Sequence, residues 1–431
     1  MRHKNPILLL VFIMMINAAC KKDDDGSTVA DTYNNIAVLK WNDAASIAVT
    51  RTGAITGALT PMVESRIYAM VNVAMHDALN NIEKRFNTYA LNSTIDSGAD
   101  PDAAVAQAAH DIIVSLLPPQ KVYADSLLNV SLAAIPAGTN KDKGIAIGIA
   151  AATAMLSKRL NDGAATAQYP IVQGTLPGVY RSTPPFEASG MAALPGWGKV
   201  TPFALTTSAQ FRPVPPYAVN STAYTTDFNE IKSLGCTSCP ARTAEQTQIG
   251  LFWLENVPYS WNNITRKLIT ENNLSGWQAA HLLALVHIAE ADANIGVFDA
   301  KYFYNYWRPI TAVRMAETDG NANTAGDAAW NVLAPPTPPV PDYPSNHAAD
   351  GGAAAEVLKR YFGKDDISFS ATSSFLPGIT RNYTSLSQAA SEVSLSRIYV
   401  GYHYRNAIVE GETMGRKIGA FVYENSLKEI K

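Results

Sequence analysis

Tyr343-Pro344-Ser345-Asn346-His347 runs straight into Ala348-Ala349-Asp350-Gly351-Gly352-Ala353-Ala354-Ala355-Glu356-Val357-Leu358. The first part reads as a loop and the second as a helix. Upstream, Pro335, Pro336, Pro338, Pro339 and Pro341 exclude a helix, because each proline lacks an N–H and restricts the residue before it. Ser345 is a good N-cap for the small-residue helix that follows. A helix start exposes unpaired N–H groups and the positive end of the helix dipole. That combination suits a tetrahedral oxyanion. A serine hydroxyl and a histidine stand at its mouth. Taken alone, these residues describe only a capped helix with a surface histidine. The basic residues on either side change that reading.

Upstream lies Lys301-Tyr302-Phe303-Tyr304-Asn305-Tyr306-Trp307-Arg308-Pro309. Lys301 and Arg308 are seven apart, which on a helix is two turns on one face. Pro309 then kinks or ends that helix. Downstream lies Ser396-Arg397-Ile398-Tyr399-Val400-Gly401-Tyr402-His403-Tyr404-Arg405-Asn406. On an unbroken helix Arg397 and His403 would point about 120° apart. Gly401 offers a way to end the helix and turn His403 back. Each piece has a plain alternative: a solvated helix face for Lys301 and Arg308, a pair with Glu392 for Arg397, an interior histidine for His403. Taken together and in order, they describe a pocket for phosphate or vanadate. Two arginines grip oxygens in bidentate fashion and a lysine adds a point charge. One histidine is left to bond the central atom and one to move a proton near neutral pH.

Elsewhere the chain reads as all-α. Apolar residues recur at helical spacing over Val63–Phe86, and Asp102–Leu117, Pro119–Ile135 and Lys141–Leu160 follow as three more helices. Short connections between them suggest up-down packing. Residues 28–60 have no clear periodicity, and residues 161–222 are an irregular excursion rich in Pro, Gly, Thr and Tyr. Tyr224–Leu234 and Thr243–Asn256 look helical. Leu274–Glu317 is the longest periodic segment, with an interruption expected near Gly296. The helix that opens at the oxyanion stretch extends to about Tyr361, and Leu386–Val400 and Asn406–Leu427 are the last two. His76, His110, His281 and His287 lie on helices and read as structural. The chain divides into a segment 1–19, a tether 20–35, a helical region 36–260 and a helical core 261–431.

The formal net charge is -3, which argues against a nucleic-acid partner, so any positive site must be local. Arg2 and Lys4 precede the apolar run Pro6–Met15, too short to span a bilayer comfortably. Ala18-Ala19-Cys20 and then Lys21-Lys22-Asp23-Asp24-Asp25 follow. This resembles a bacterial lipoprotein signal with Cys20 as the lipidated residue, which implies an anchor at the outer membrane, cell-surface or periplasmic. Asn17 departs from the usual aliphatic residue. Loss of residues 1–19 would bring the charge to about -5. In an oxidising compartment Cys236 and Cys239, in a C-x-x-C with no second pair, favour a small loop disulfide.

The order K-x6-R-P, P-S-x-H, S-R-x5-H over residues 301–407 resembles the three-part signature of the vanadium-dependent haloperoxidase and type 2 phosphatidic acid phosphatase superfamily, in its soluble bacterial haloperoxidase-like branch. Val71–Ala78 and Thr243–Thr247 are similar to that branch with less specificity. The resemblance implies a helix-bundle fold and, by family habit, a homodimer. It implies that Lys301, Arg308, Arg397, Ser345 and the Asn346 N–H bind a vanadate, that His403 coordinates the metal, and that His347 is the acid–base group. Hydrogen peroxide and a halide, iodide or bromide, would be the substrates, with Trp307 and Tyr343 at the halide approach. The other branch implies a phosphate in the same pocket, a phosphate ester as substrate and His403 as nucleophile. An inactive oxyanion-binding surface protein is the third reading. Two departures stand out. Asn346 replaces the usual glycine; it tolerates a left-handed backbone and would crowd or bond the anion. Ala407 stands where phosphatases carry an aspartate that orients the histidine, with Glu410 as a substitute.

Overall fold

The computed structural model describes residues 33–57 and 59–430, with Met1 alone before them. The signal, the lipidation cysteine and the acidic tether expected at the N-terminus lie outside the described residues, apart from the tether's end at 33–35. Helices carry the fold. They are α1 Ile36–Thr56, α2 Pro61–Asn80, α3 Pro101–Leu116, α4 Lys121–Ala133 and α5 Thr139–Arg159, then α6 Thr222–Leu234, α7 Ala244–Phe252, α8 Val257–Glu271 and α9 Gly276–Tyr304. The last group is α10 Pro309–Met315, α11 Asn346–Phe362, α12 Leu386–Tyr399 and α13 Arg405–Asn425. One antiparallel hairpin, β1 Phe369–Thr372 with β2 Thr380–Tyr383, pairs Phe369 with Tyr383 and Thr372 with Thr380. It is too short to alter the all-α class. Among the described residues no helix is long and apolar enough to cross a membrane.

The core is organised around α9. Ser275 and Gln278 form a reciprocal capping box at its start. Nearly every residue from Gly276 to Lys301 is buried, as expected of a helix that is apolar on all sides. It packs against α2, α11 and α13, so elements from both expected regions, 36–260 and 261–431, share one core. Two helices go beyond those expected from the sequence. α1 spreads its apolar residues round the helix, burying Val38, Trp41 and Val49 but exposing Ile36 and Ile55, and α8 buries one face around Trp261 and Leu268. The expected interruption near Gly296 is absent. Its missing side chain instead admits the methyl group of Met414. The helix ends later, at Asn305, whose left-handed φ of 48° reverses the chain.

Against α9 lies the closest helix pair, α11 with α13. Gly411, Gly415 and Gly419 form a small-residue ridge, four apart, on the carbonyls of Ser345, Ala349 and Ala353. The start of α11 is thereby seated on α13, the helix that follows the His403 loop. A Cβ at Gly415 would run into the Ala349 carbonyl. Gly415→Val should therefore cost about 3 kcal/mol from overpacking, read as a lower thermal midpoint. An unchanged midpoint would mean that the pair can separate freely.

A polar seam is buried between α9 and its neighbours. Asn262 Oδ1 meets His287 Nε2 at 2.8 Å and accepts from Asn42 at 2.8 Å, while His287 Nδ1 lies 2.9 Å from Glu290. Burial pulls the His287 pKa down to about 3 and raises that of Glu290 well above normal. The consistent assignment is a neutral imidazole that donates from Nε2 and accepts at Nδ1 from a protonated Glu290. His76 lies against Asp77, His110 lies between Asp111 and Asp125, and His281 stacks on Phe86. These four histidines have structural partners.

Candidate oxyanion site

Lys301, Arg308, Ser345, Asn346, His347, Arg397 and His403 converge at the start of α11. The route differs from the helix-face expectation for Lys301 and Arg308. Lys301 is in the last turn of α9, but Arg308 lies beyond the Asn305 reversal, in extended backbone at the N-cap of α10. A hydrogen bond from Trp307 N to Gly178 O, 3.0 Å long, ties this bend to the irregular excursion 161–222.

The cations first hold the loops. Lys301 is fully buried and donates to the carbonyls of Pro341 and Asp342 at 2.6 and 2.8 Å. Arg308 donates from Nε to Val340 O at 2.7 Å and from Nη1 to Tyr402 O at 2.9 Å. It thus clamps the proline-rich loop to the His403 loop. Burial lowers the pKa of both, Arg308 lowers that of Lys301 further, and Asp342 opposes the fall in each.

Arg397 is different. Its Nη1 donates to Trp253 O at 3.1 Å, but Nε and Nη2, both buried, have no partner among the described residues. Glu392, the partner considered from sequence, is taken by Arg381. Burial lowers the Arg397 pKa only to about 10, so it remains a cation near neutral pH. His347 Nε2 is likewise buried without a partner among the described residues. The His347 pKa is pushed well down by burial, then by Arg397. Orphaned polar atoms of this kind are expensive unless a ligand pairs with them.

His403 reaches the site through the turn that Gly401 makes. Gly401 has φ 85°, and the N–H groups of Tyr402 and His403 return to the Arg397 carbonyl at 2.9 and 3.3 Å. Gly235 packs against this turn. Its neighbour Cys236 forms a disulfide with Cys239, so the loop pairing favoured from sequence is present. His403 Nε2 lies 3.0 Å from Arg308 Nη1, and Nδ1 lies 3.0 Å from Asp342 Oδ1. A proton on Nδ1 facing Asp342 leaves the Nε2 lone pair for the arginine or a ligand. Burial comes first among the causes that push the His403 pKa well down, followed by Arg308 and Lys301.

Asp342 was not visible as a site residue in the sequence. Its only signal was an acid just ahead of the Tyr343-Pro344-Ser345 stretch. Its Oδ1 lies 3.0 Å from His403 Nδ1, a carboxyl beside the histidine where Ala407 offers none, although neither of its oxygens completes a hydrogen bond among the described residues. Glu410 is not needed as a substitute. Ala407 instead accepts the Ser345 N–H on its carbonyl at 2.9 Å. Burial pushes the Asp342 pKa up to about 7, against the opposing pull of Arg308 and Lys301. Ala407 therefore no longer argues against a phosphatase by itself.

Asn346 also differs from expectation. It is the first helical residue of α11 and has no positive φ. Its Nδ2 donates to Asn294 at 2.9 Å, and Asn294 in turn donates to Asp350 at 2.9 Å. The side-chain amide is tied to α9. Ser345 Oγ accepts from Ala348 N at 3.5 Å, a long capping bond that leaves its O–H free to donate.

Arg308, Asn346, His347, Arg397 and His403 line one cavity of about 360 Å³, whose other walls include Pro336, Pro338 and Phe298. Lys301 and Ser345 stand behind that surface. Trp307 and Tyr343 do not line it. Trp307 packs on Tyr224, and Tyr343 faces a separate small cavity with Tyr217. Excursion residue Ala193 does reach the wall, where its N–H bonds Pro339 O at 2.8 Å.

Three cations stand against one carboxyl, and the free donors converge with an open imidazole nitrogen. This donor set fits a tetrahedral oxyanion such as vanadate. Residues 281–431 match the VCPO second helical-bundle domain family. Over 91% of this chain and 97% of the other, the structure superposes with a TM-score of 0.78 and 27% identity on the first bacterial vanadium-dependent iodoperoxidase. The chain has the vanadium haloperoxidase fold. A holo-type bacterial vanadium-dependent chloroperoxidase shares that fold at TM-score 0.66 and 18% identity, over 85% of this chain and 92% of the other. The vanadium chloroperoxidase of Curvularia inaequalis is 26% identical over 408 residues, which cover 77% of this chain and 66% of that relative.

The lowered His347 pKa has a measurable consequence. An anion beside it would raise that pKa, so binding takes up a proton. Affinity for sulfate, which stays fully ionised in this range, should fall as pH rises from 6 to 8, by up to about tenfold per unit for one coupled proton. The dependence should flatten in His347→Gln. Isothermal titration checks both, and a pH-independent affinity in the unaltered protein would remove His347 from the anion's surroundings.

Proposed function

We propose that this protein is a vanadate-dependent haloperoxidase that oxidises iodide or bromide with hydrogen peroxide. The observation that carries the reading is the pair of unpartnered Arg397 donors facing the same cavity as His347 and His403. The similarity to an iodoperoxidase and to chloroperoxidases supports halide oxidation over ester hydrolysis. Lys301, Arg308 and Arg397 would balance the charge of vanadate, Ser345 and the first N–H groups of α11 would donate to its oxygens, and His403 Nε2 would be its protein ligand. When bound, the metal supplies Lewis-acid activation of peroxide toward halide.

The chain's own residues do the rest. Asp342, 3.0 Å from His403 Nδ1, would favour the tautomer protonated there, so that Nε2, which now lies 3.0 Å from Arg308 Nη1, could turn its lone pair to vanadate. His347, neutral at rest, accepts a proton at Nε2 from an incoming acid and can return it. Arg397 donates to oxygens on which negative charge builds. The proline walls restrict water without offering competing donors, since proline has no N–H.

The test is an orthovanadate titration of residues 21–431, with iodide and bromide oxidation followed beside hydrolysis of a chromogenic phosphate ester. Oxidation that appears only as vanadate is added is expected. Ester hydrolysis that vanadate suppresses would overturn the reading in favour of a phosphatase.

For its address, we propose a lipid anchor at Cys20 in the outer membrane, supported by the sequence of residues 1–27. Palmitate labelling that persists in Cys20→Ala would remove it. A homodimer is part of the same proposal, and a monomer mass in sedimentation would dismiss it.

A further inference from the structure

A second cavity, of about 410 Å³, lies beside the oxyanion site. The two share Asn256 and Phe375 as a common wall. The segment 253–256 forms that partition. Trp253 O accepts from Arg397, Leu254 faces the oxyanion cavity, and Glu255 faces the second one.

The floor of the second cavity is built, not left over. Glu64 is 3% exposed and lines it. Its Oε2 accepts from Asn256 Nδ2 at 2.7 Å, which fixes the carboxyl, while Oε1 is buried with no partner among the described residues. Glu255 stands nearby with both oxygens engaged, Oε1 by Ser374 and Oε2 by Ser260 at 2.7 Å. Burial raises the Glu64 pKa to about 7, the Asn256 bond and the nearby Tyr68 hydroxyl, which does not meet hydrogen-bond geometry with it, pull it down, and the charge of Glu255 adds to the rise. The walls above are Val49, Ala54, Leu59, Tyr259 and Phe375. Ala54, in α1, is exposed at the rim.

We propose that this cavity binds a small organic ammonium ion, with the N–H⁺ group on Glu64 Oε1 and an apolar body against Leu59, Tyr259 and Phe375. An unpartnered carboxylate oxygen at the base of an apolar pocket needs a donor, and a cation also offsets the second carboxylate. The volume holds a one-ring amine but not a large one. Neither metal nor vanadate is required for this binding, so it stands apart from the haloperoxidase reading.

Benzylamine is the probe and benzyl alcohol its neutral counterpart, titrated calorimetrically at pH 7.5 into the full protein. Benzylamine should bind saturably and at least about tenfold more tightly than the alcohol, a margin of about 1.4 kcal/mol. Glu64→Gln keeps an acceptor for Asn256 and should lose that margin. Ala54→Trp fills the rim without touching the floor and should abolish binding of both probes. Sulfate affinity should be unchanged in Ala54→Trp, since the oxyanion cavity is not altered. Equal affinity for amine and alcohol would overturn the proposal. So would benzylamine binding that survives Ala54→Trp, or that sulfate displaces competitively, which would place the amine in the oxyanion cavity instead.

Discussion

His403→Ala should abolish halide oxidation, with a loss of roughly 10³-fold or more, and weaken vanadate binding by at least about 100-fold, near 2.8 kcal/mol. The physical point is the contrast with sulfate. Sulfate offers no coordination position to an imidazole, and Lys301, Arg308 and Arg397 all remain, so its affinity should change by less than about threefold. If both anions weaken together, His403 acts by shape or charge and not as a ligand. If neither weakens, Nε2 does not face the anion and the site is assigned wrongly. His403 touches solvent little, and its ring lies between Arg308 and Asp342. Thermal melting of the variant should accompany the titrations, to show that the Gly401 turn has survived.

The second large effect belongs to Asp342. Its carboxyl is fully buried, 3.0 Å from His403 Nδ1 and 3.9 Å from Arg308 Nη1. Asp342→Ala removes the one carboxyl set among Lys301, Arg308 and His403, and leaves buried positive charge uncompensated. A cost of about 3–5 kcal/mol is expected, read as a lower denaturant midpoint. Sulfate should restore part of it, because an anion that binds only the folded state stabilises it. Asp342→Asn keeps the volume but offers His403 a weaker partner. It should reduce halide oxidation by about 10–100-fold while holding sulfate at least as tightly as the unaltered protein. That split distinguishes a positioning residue from a mere charge. Oxidation unaffected in Asp342→Asn would mean that the imidazole is oriented by Arg308 and the Gly401 turn alone.

The raised Asp342 pKa also has a sign. A carboxyl that ionises near pH 7 when folded and near 4 when unfolded binds more protons in the folded state between those values. Its own contribution to stability therefore falls as pH rises from about 4 to about 7. His347 and His403, held neutral, act in the opposite direction below their unfolded pKa near 6.5. Asp342→Asn removes the first trend and leaves the second.

Most helices and every basic or histidine residue of the site could be read from the chain alone. Helical spacing, caps and prolines are local properties, and the Ser345 cap, the Gly401 turn and the Arg308-Pro309 boundary lie within a few residues of the groups they place. The helix class could be read for the same reason, and α1 could not because its apolar residues are spread round the helix with little contrast between faces. What the sequence could not determine is which groups meet across the fold. Asp342 faces His403, Asn346 turns to Asn294, and the Trp253 carbonyl takes one donor of Arg397 while leaving two free. The Asn346 pairing depends on how α9 and α11 pack, the Arg397 one on how α7 meets α12, and the glycine ridge of α13 sets how closely α11 approaches α13. Local pattern named the residues; only close packing of distant segments decided their partners, because burial makes every unpaired donor or charge costly enough to select one arrangement.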